Sequence, residues 1–134
     1  MNIVLDTNVF ISGIFFSGPP FEILKAWKNS RFQIVLTKQI FEEYKRVAEA
    51  LTEEFPNIDI LPILELLAIH CPLISADNFN LQVCDDPDDD KFIECASASS
   101  TKIIVSGDKH LLKLSGYQGI TVLKPRQFVE LYIK

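Results

Sequence analysis

Four short runs of apolar, mostly β-branched residues are the feature that most constrains the fold. Nearly all positions of each run are apolar, so both faces of a strand would be buried: residues 2–5, 32–36, 103–105 and 120–123. Strands of this kind belong to a parallel sheet that is covered by helices on both sides. Because helical patterns alternate with these runs, we predict a doubly wound α/β sandwich.

The segments between the strands carry apolar residues three and four positions apart, which is the spacing of one helix face. Thr37 is placed to cap the second predicted helix, and Asp88 or Asp89 to begin the fourth. An apolar loop is predicted for residues 12–20, where a base could stack or a partner subunit could pack. A further short strand is predicted for residues 72–76. The predicted helices are 20–29, 38–51, 60–69, 88–99, 109–114 and a last one opened by Pro125.

Length and composition predict one domain that spans residues 1–134. With 134 residues, 48% of them hydrophobic, the chain can close its own core. No apolar run approaches the roughly 20 residues of a membrane helix, and the N-terminus lacks the pattern of a signal peptide. Three separated cysteines without a CxxC pair indicate reduced thiols rather than zinc ligands or disulfides. We therefore expect a soluble, cytoplasmic protein without a membrane partner.

Acidic residues lie at the ends of the predicted elements, and this is the main indication of function. Asp6 and Asp108 each follow a strand, at the edge where open parallel sheets bind ligands. Asp90 in the first turn of a helix and Glu43 beside an apolar helix stripe could complete the cluster. Carboxylates this close must bind protons or a cation. Oxygen ligands favour Mg²⁺ or Mn²⁺, and such an ion suits phosphodiester hydrolysis.

Each acid also has a purely structural interpretation. Asp6 could begin a turn, and Asp108 could be the N-cap of the following helix. A glutamate beside a helix stripe is often solvated, and Glu42 competes with Glu43 for the site. Within the acidic run 85–90 we choose Asp90, with Asp89 as the next candidate.

Neutral and basic side chains near the acids are candidates for supporting roles. Asn8 and Ser106 each lie two residues from an aspartate and could orient a carboxylate. Lys45, Arg46 and Lys109 could contact RNA phosphates. The net charge of −5 argues against a broad basic surface but permits a small basic rim. By default the other basic residues are solvated helix faces: Lys38, Lys91, Lys113, Lys124 and Arg126.

The successive acidic segments resemble those of PIN-domain ribonucleases. The similarity lies in Val4-Leu5-Asp6-Thr7-Asn8, in Glu43 after the second strand, in Asp90-Lys91-Phe92-Ile93 and in Val105-Ser106-Gly107-Asp108. It is greatest to the branch described as toxins of bacterial and archaeal toxin–antitoxin pairs. The resemblance spans nearly the whole chain.

That resemblance implies a three-layer α/β/α sandwich with a mainly parallel central sheet. It also implies an Mg²⁺- or Mn²⁺-dependent endonuclease of single-stranded RNA, a homodimer and a cognate antitoxin protein. As catalytic metal ligands it implies Asp6, Glu43, Asp90 and Asp108, with support from Asn8, Ser106 and Asp89.

Two other functions compete with the nuclease. A catalytically silent PIN-like interaction module would not need four like charges in one pocket. An aspartyl-phosphate phosphotransferase also places an aspartate after its first strand, but it requires a second acid two residues later, where this chain has Asn8. We therefore expect the nuclease.

Overall fold

A sheet of four parallel strands forms the centre of the structure, a computed structural model that describes residues 1–71, 73–77, 79 and 81–134. The strands lie in the order β2-β1-β3-β4, with Val4 opposite Ile104 and Ile104 opposite Val122. Their bounds are β1 (Asn2–Leu5), β2 (Gln33–Ile34), β3 (Ile103–Val105) and β4 (Thr121–Leu123). The predicted parallel sheet is confirmed.

Helices on the connections complete a three-layer α/β/α fold, as predicted. They are α1 (Thr7–Phe15), α2 (Pro19–Lys28), α3 (Lys38–Leu51), α4 (Leu61–His70), α5 (Asp90–Ala98), α6 (Lys109–Leu112) and α7 (Pro125–Phe128). Short helical turns occupy Pro87–Asp89, Tyr117–Gly119 and Val129–Ile133. Within the described ranges, no helix combines the length and the apolar character that crossing a membrane requires.

The predicted loop at residues 12–20 is wrong over most of its length. Ser12 and the residues up to Phe15 belong to α1, and α2 begins at Pro19. The first helix escaped detection because it is apolar nearly all round, so its sequence lacks the alternation of an amphipathic helix. Phe16 remains half exposed, with its ring 5.5 Å from that of Phe55 in a perpendicular arrangement.

The predicted strand at residues 72–76 is reduced to a single bridge in the described residues. Leu73 pairs with Leu36 in a parallel bridge, and the Ile74 backbone N–H donates to the Leu36 carbonyl at 2.9 Å. Pro72, the first residue of that prediction, lies outside the described residues.

One aromatic contact fixes α3 against the end of β1. The ring of Tyr44 stacks on that of Phe10 in α1, with centroids 4.2 Å apart, and both side chains are fully buried. The Tyr44 hydroxyl donates to the Leu5 carbonyl, one residue before Asp6. Since Glu43 immediately precedes Tyr44, this contact sets where the Glu43 side chain leaves α3.

Candidate active site

Asp6 lies between a strand end and a helix start, and both positions fix its carboxylate. Its backbone N–H donates to the Val105 carbonyl at 3.1 Å, which continues the pairing of β1 with β3. One oxygen, Oδ1, accepts from the Val9 backbone N–H at 2.8 Å and so caps α1. The other, Oδ2, accepts from the Ser106 hydroxyl. Asp6 is therefore buried in a fixed orientation.

Ser106 joins Asp6 to Asp108. Its side chain is fully buried, and its Oγ accepts from the Asp108 backbone N–H at 2.9 Å while it donates to Asp6. Asp108 in turn caps α6, because its Oδ1 accepts from the His110 N–H at 2.7 Å. One hydroxyl thus connects the two aspartates that follow neighbouring strands β1 and β3. Asp108 caps α6 and lies beside the Asp6 site at the same time.

Glu43 faces inward and both its oxygens have partners. Oε1 accepts from the hydroxyl of Thr7, the residue after Asp6. Oε2 lies 2.8 Å from the ammonium nitrogen of Lys91, a residue of α5 that is only 6% exposed. The prediction that Lys91 belongs to a solvated helix face is therefore wrong. The adjacent Glu42 is 63% exposed and pairs weakly with a lysine at 3.9 Å, so it lies outside the cluster.

Asp89 and Asp90 make different contacts. Asp90 is buried, and its Oδ1 accepts from the backbone N–H groups of Val83 and Cys84 at 3.1 and 2.9 Å. Asp89 precedes α5 without capping it, and its Oδ2 is a buried oxygen that has no hydrogen-bond partner within the described part of the chain. Asp90 thus holds the preceding loop, while one buried carboxylate oxygen of Asp89 stays without a partner among the described residues.

These carboxylates interact electrostatically. The pKa of Asp6 is raised, mainly by burial and further by the charges of Asp108 and Glu43. The hydrogen bonds from Ser106 and Val9 act in the opposite direction and lower it. Burial, followed by the charges of Asp108 and of the neighbouring Asp86, raises the pKa of Asp89 to about 6, while Lys91 lowers it. Carboxylates with raised pKa values are sites where a cation would relieve repulsion.

The acids supply oxygen ligands only, the type that magnesium prefers. In the described part of the chain, no group of three or more Asp, Glu, His or Cys side chains is arranged to hold a metal ion. Mg²⁺ needs no such group, since it retains several waters and is held by one or two carboxylates. The unpartnered oxygen of Asp89, which senses the charge of Asp108, is the group here that a cation could contact.

The remaining predicted residues are exposed. They are Asn8, Lys45, Arg46 and Lys109, and an Arg46 nitrogen lies 3.9 Å from Glu43. Sequence reasoning missed two contacts to Glu43, from the Thr7 hydroxyl and the Lys91 ammonium. The position of Thr7 directly after Asp6 was the available signal for the first.

Comparison with known proteins identifies the family. The PIN domain family profile matches residues 2–110. The chain belongs to the PIN domain family. It is also 33% identical over 146 aligned positions to Uncharacterized protein MJ1680 of Methanocaldococcus jannaschii, with 100% of this chain and 93% of that protein aligned.

Membership in the PIN family indicates a nuclease-type function, and so a hydrolase at the coarse level. PIN domains typically use divalent metal ions, which agrees with the all-oxygen character of this acidic cluster.

Proposed function

We propose that this PIN-domain protein is a metal-dependent endoribonuclease that hydrolyses phosphodiester bonds of single-stranded RNA. The observation that carries the proposal is the link from Asp6 through the buried Ser106 hydroxyl to Asp108. It connects the Asp6 carboxylate to the backbone of Asp108, so that both acids lie at adjoining strand ends, where a parallel sheet places its ligands. Solvated acids would not need this buried connection.

Mg²⁺ or Mn²⁺ is the cofactor of the proposed reaction. Asp6, Asp108 and the Asp89–Asp90 pair would hold the ion, with Asp89 offering its unpartnered oxygen. When bound there, the ion would supply Lewis-acid chemistry for attack of water at phosphorus. Glu43 adds a further carboxylate from α3.

The protein's own side chains orient the cluster and bind the substrate. Ser106 fixes the direction of the Asp6 carboxylate, as a hydrogen-bond partner outside the ligand set should. The exposed Lys45, Arg46 and Lys109 would pair with RNA phosphates. Because the net charge is −5, these side chains, rather than the whole surface, attract RNA.

Cleavage of a labelled single-stranded RNA by purified protein in Mn²⁺, Mg²⁺ or EDTA tests the proposal. We expect metal-dependent cleavage that Asp6→Asn abolishes. Glu43→Gln should lower it at least about tenfold, whereas Glu42→Gln, the same change on the exposed neighbour, should leave it unchanged. Equal cleavage by wild type and Asp6→Asn would reveal a contaminant and refute the assignment.

Asp89→Asn and Asp90→Asn, compared side by side, distinguish the two neighbouring acids. If Asp89 supplies the open oxygen, Asp89→Asn loses metal-dependent cleavage. Asp90→Asn should retain part of it, because an amide oxygen can still accept from the Val83 and Cys84 N–H groups. The opposite pattern would assign the metal to Asp90.

Absence of cleavage, together with absence of Mn²⁺ binding, would favour the silent interaction module. The toxin role, the cognate antitoxin and the homodimer stay predictions of the sequence resemblance.

A further inference from the structure

A cavity lies beside the candidate site. It has a volume of about 310 Å³ and is lined by residues 37–39 at the start of α3, by residues 73–77, and by Lys91 and Glu94 of α5. This volume is at the lower end of the range for small-ligand sites. The hydrolysis proposed above does not use this cavity.

Strand register places one wall of the cavity level with Asp6. Ile3 pairs with Ile34 in the parallel ladder of β1 and β2, and the Val35 N–H continues that ladder by donating to the Ile3 carbonyl at 2.9 Å. The same register, three residues further on, brings Thr37 beside Asp6. Because neighbouring strands are about 4.8 Å apart, an RNA strand held at Asp6 would pass close to the cavity.

Lys91 separates the cavity from the acidic cluster. Its side chain lines the cavity, while its ammonium nitrogen lies 2.8 Å from Glu43 Oε2. The other oxygen of Glu43 accepts from the hydroxyl of Thr7, which directly follows Asp6. A nucleotide whose base enters the cavity could therefore place its phosphate at the acids.

The lining combines hydrogen-bond acceptors with donors. Glu94 is partly buried, and its Oε2 accepts from the Leu81 backbone N–H at 3.0 Å. An ionised carboxylate accepts several hydrogen bonds, so Glu94 retains capacity for a ligand. Asp77 adds a second carboxylate, and Lys38 and Gln39 add N–H donors.

Guanine is the base that matches this lining best. Its Watson–Crick edge presents two adjacent donors, N1–H and the 2-amino group, which suit a carboxylate, while its O6 and N7 accept from lysine. Uracil has one N–H donor on that edge, and adenine and cytosine each have an amino group alone. The apolar side chains of Leu73, Ile74 and Ala76, which also line the cavity, could contact the ring.

We propose that this cavity binds a guanine base of the RNA strand next to the cleaved phosphodiester, and that Glu94 selects guanine by accepting from its N1–H and 2-amino groups. Glu94 is then a specificity residue that contacts the base and takes no part in the cleavage step. This inference rests on the proposed ribonuclease function and specifies its base preference.

Sequencing of the products formed from a random-sequence single-stranded RNA in Mn²⁺ measures the base preference around the cut. We expect guanine to be enriched at one fixed position in wild type. Glu94→Gln should lower this enrichment about tenfold or more, the effect of losing a hydrogen bond to a charged group. Glutamine keeps an oxygen that can accept from the Leu81 N–H, so the fold should be retained. Glu65→Gln, the same change at an exposed position of α4, should keep the wild-type preference.

A change in the RNA tests the contact itself. Inosine lacks the 2-amino group of guanosine, so placing it at the preferred position should lower kcat/KM of wild type about tenfold. The same replacement should have little effect on Glu94→Gln, which has already lost the charged acceptor. An equal loss in both proteins would show that Glu94 does not contact the amino group.

Binding of guanosine monophosphate in EDTA gives a readout that needs no cleavage. In an NMR titration, we expect it to shift the backbone amide signals of Gln39 and Glu94 at concentrations where adenosine monophosphate does not. Glu94→Gln should weaken this binding about tenfold, and Glu65→Gln should leave it unchanged.

The outcomes separate this inference from the proposed function. Metal-dependent cleavage without a guanine preference, or with a preference that Glu94→Gln keeps, would overturn the guanine site and leave the nuclease intact. Absence of cleavage, together with guanosine monophosphate binding that Glu94→Gln weakens, would refute the nuclease and support the site. Absence of both cleavage and binding would overturn both.

Discussion

Replacing Asp89 by asparagine should stabilise the metal-free protein. In the folded chain, burial and neighbouring acids raise the pKa of Asp89 from 3.8 to about 6. A shift of about two units corresponds to an upper limit of about 3 kcal/mol. Because Asp89 is partly exposed, solvent screening reduces this to about 1 kcal/mol. For a chain of this size that is a rise in melting temperature of about 3–5 °C.

The sign of this effect depends on pH. An acid whose pKa is higher in the folded state loses stability as pH rises, starting near its unfolded pKa of 3.8 and ending above about 6. Asp89→Asn should therefore melt higher than wild type at pH 7.5, and the difference should vanish at pH 4, where the folded-state carboxyl is already protonated. Circular dichroism melting in EDTA at the two pH values measures both.

Asp88→Asn is the matched control, because it makes the same change on the exposed neighbouring residue. We expect its melting temperature to stay within about 1 °C of wild type, as for most surface substitutions. Saturating Mn²⁺ should raise the melting temperature of wild type and of Asp88→Asn but much less that of Asp89→Asn. If Asp89→Asn melts no higher than wild type at pH 7.5, or if a rise persists at pH 4, the electrostatic argument for Asp89 is wrong.

Three further substitutions test the scaffold of the site. Ser106→Ala removes the hydroxyl bonded to Asp6 and should weaken Mn²⁺ binding about 10–100-fold in a calorimetric titration; unchanged affinity would refute its orienting role. Tyr44→Phe loses the hydrogen bond to the Leu5 carbonyl and should lower the free energy of unfolding in urea by about 1 kcal/mol, whereas no loss would show that the bond contributes nothing net. Gly13→Ala would normally stabilise a helix, but its added Cβ would lie 2.7 Å from a backbone oxygen of α2. We therefore expect the free energy of unfolding to fall by about 1–3 kcal/mol. A rise would contradict this packing.

Local sequence patterns predicted the elements whose own residues determine them. The strands were recognisable because burial on both faces requires runs that are largely apolar. The third helix, from Lys38 to Leu51, was predicted with its observed bounds because Thr37 caps it through its own side chain and its apolar residues keep helical spacing. In both cases the signal lies within the element.

Features that depend on distant partners were not predictable in the same way. The buried Lys91 looks like any exposed helix lysine until α3 brings Glu43 to 2.8 Å from its ammonium. The first helix, Thr7–Phe15, is buried among other elements, so its apolar residues surround it instead of forming one stripe. The difference between Asp89 and Asp90 likewise depends on a loop whose N–H groups select one of two adjacent carboxylates.

The sequence left open whether Asp6 and Asp108 have structural roles or belong to the site. In this fold each aspartate caps a helix and lies in the candidate site. Asp6 caps α1 with one oxygen and receives Ser106 on the other, and Asp108 caps α6 while its charge still reaches Asp6. Helix starts that follow parallel strands place the N–H groups and the acids at the same edge of the sheet. Asparagine at either position keeps an oxygen for the cap and removes only the charge, whereas alanine removes both. Asparagine variants therefore separate the chemistry of the site from the stability of the helices that form it.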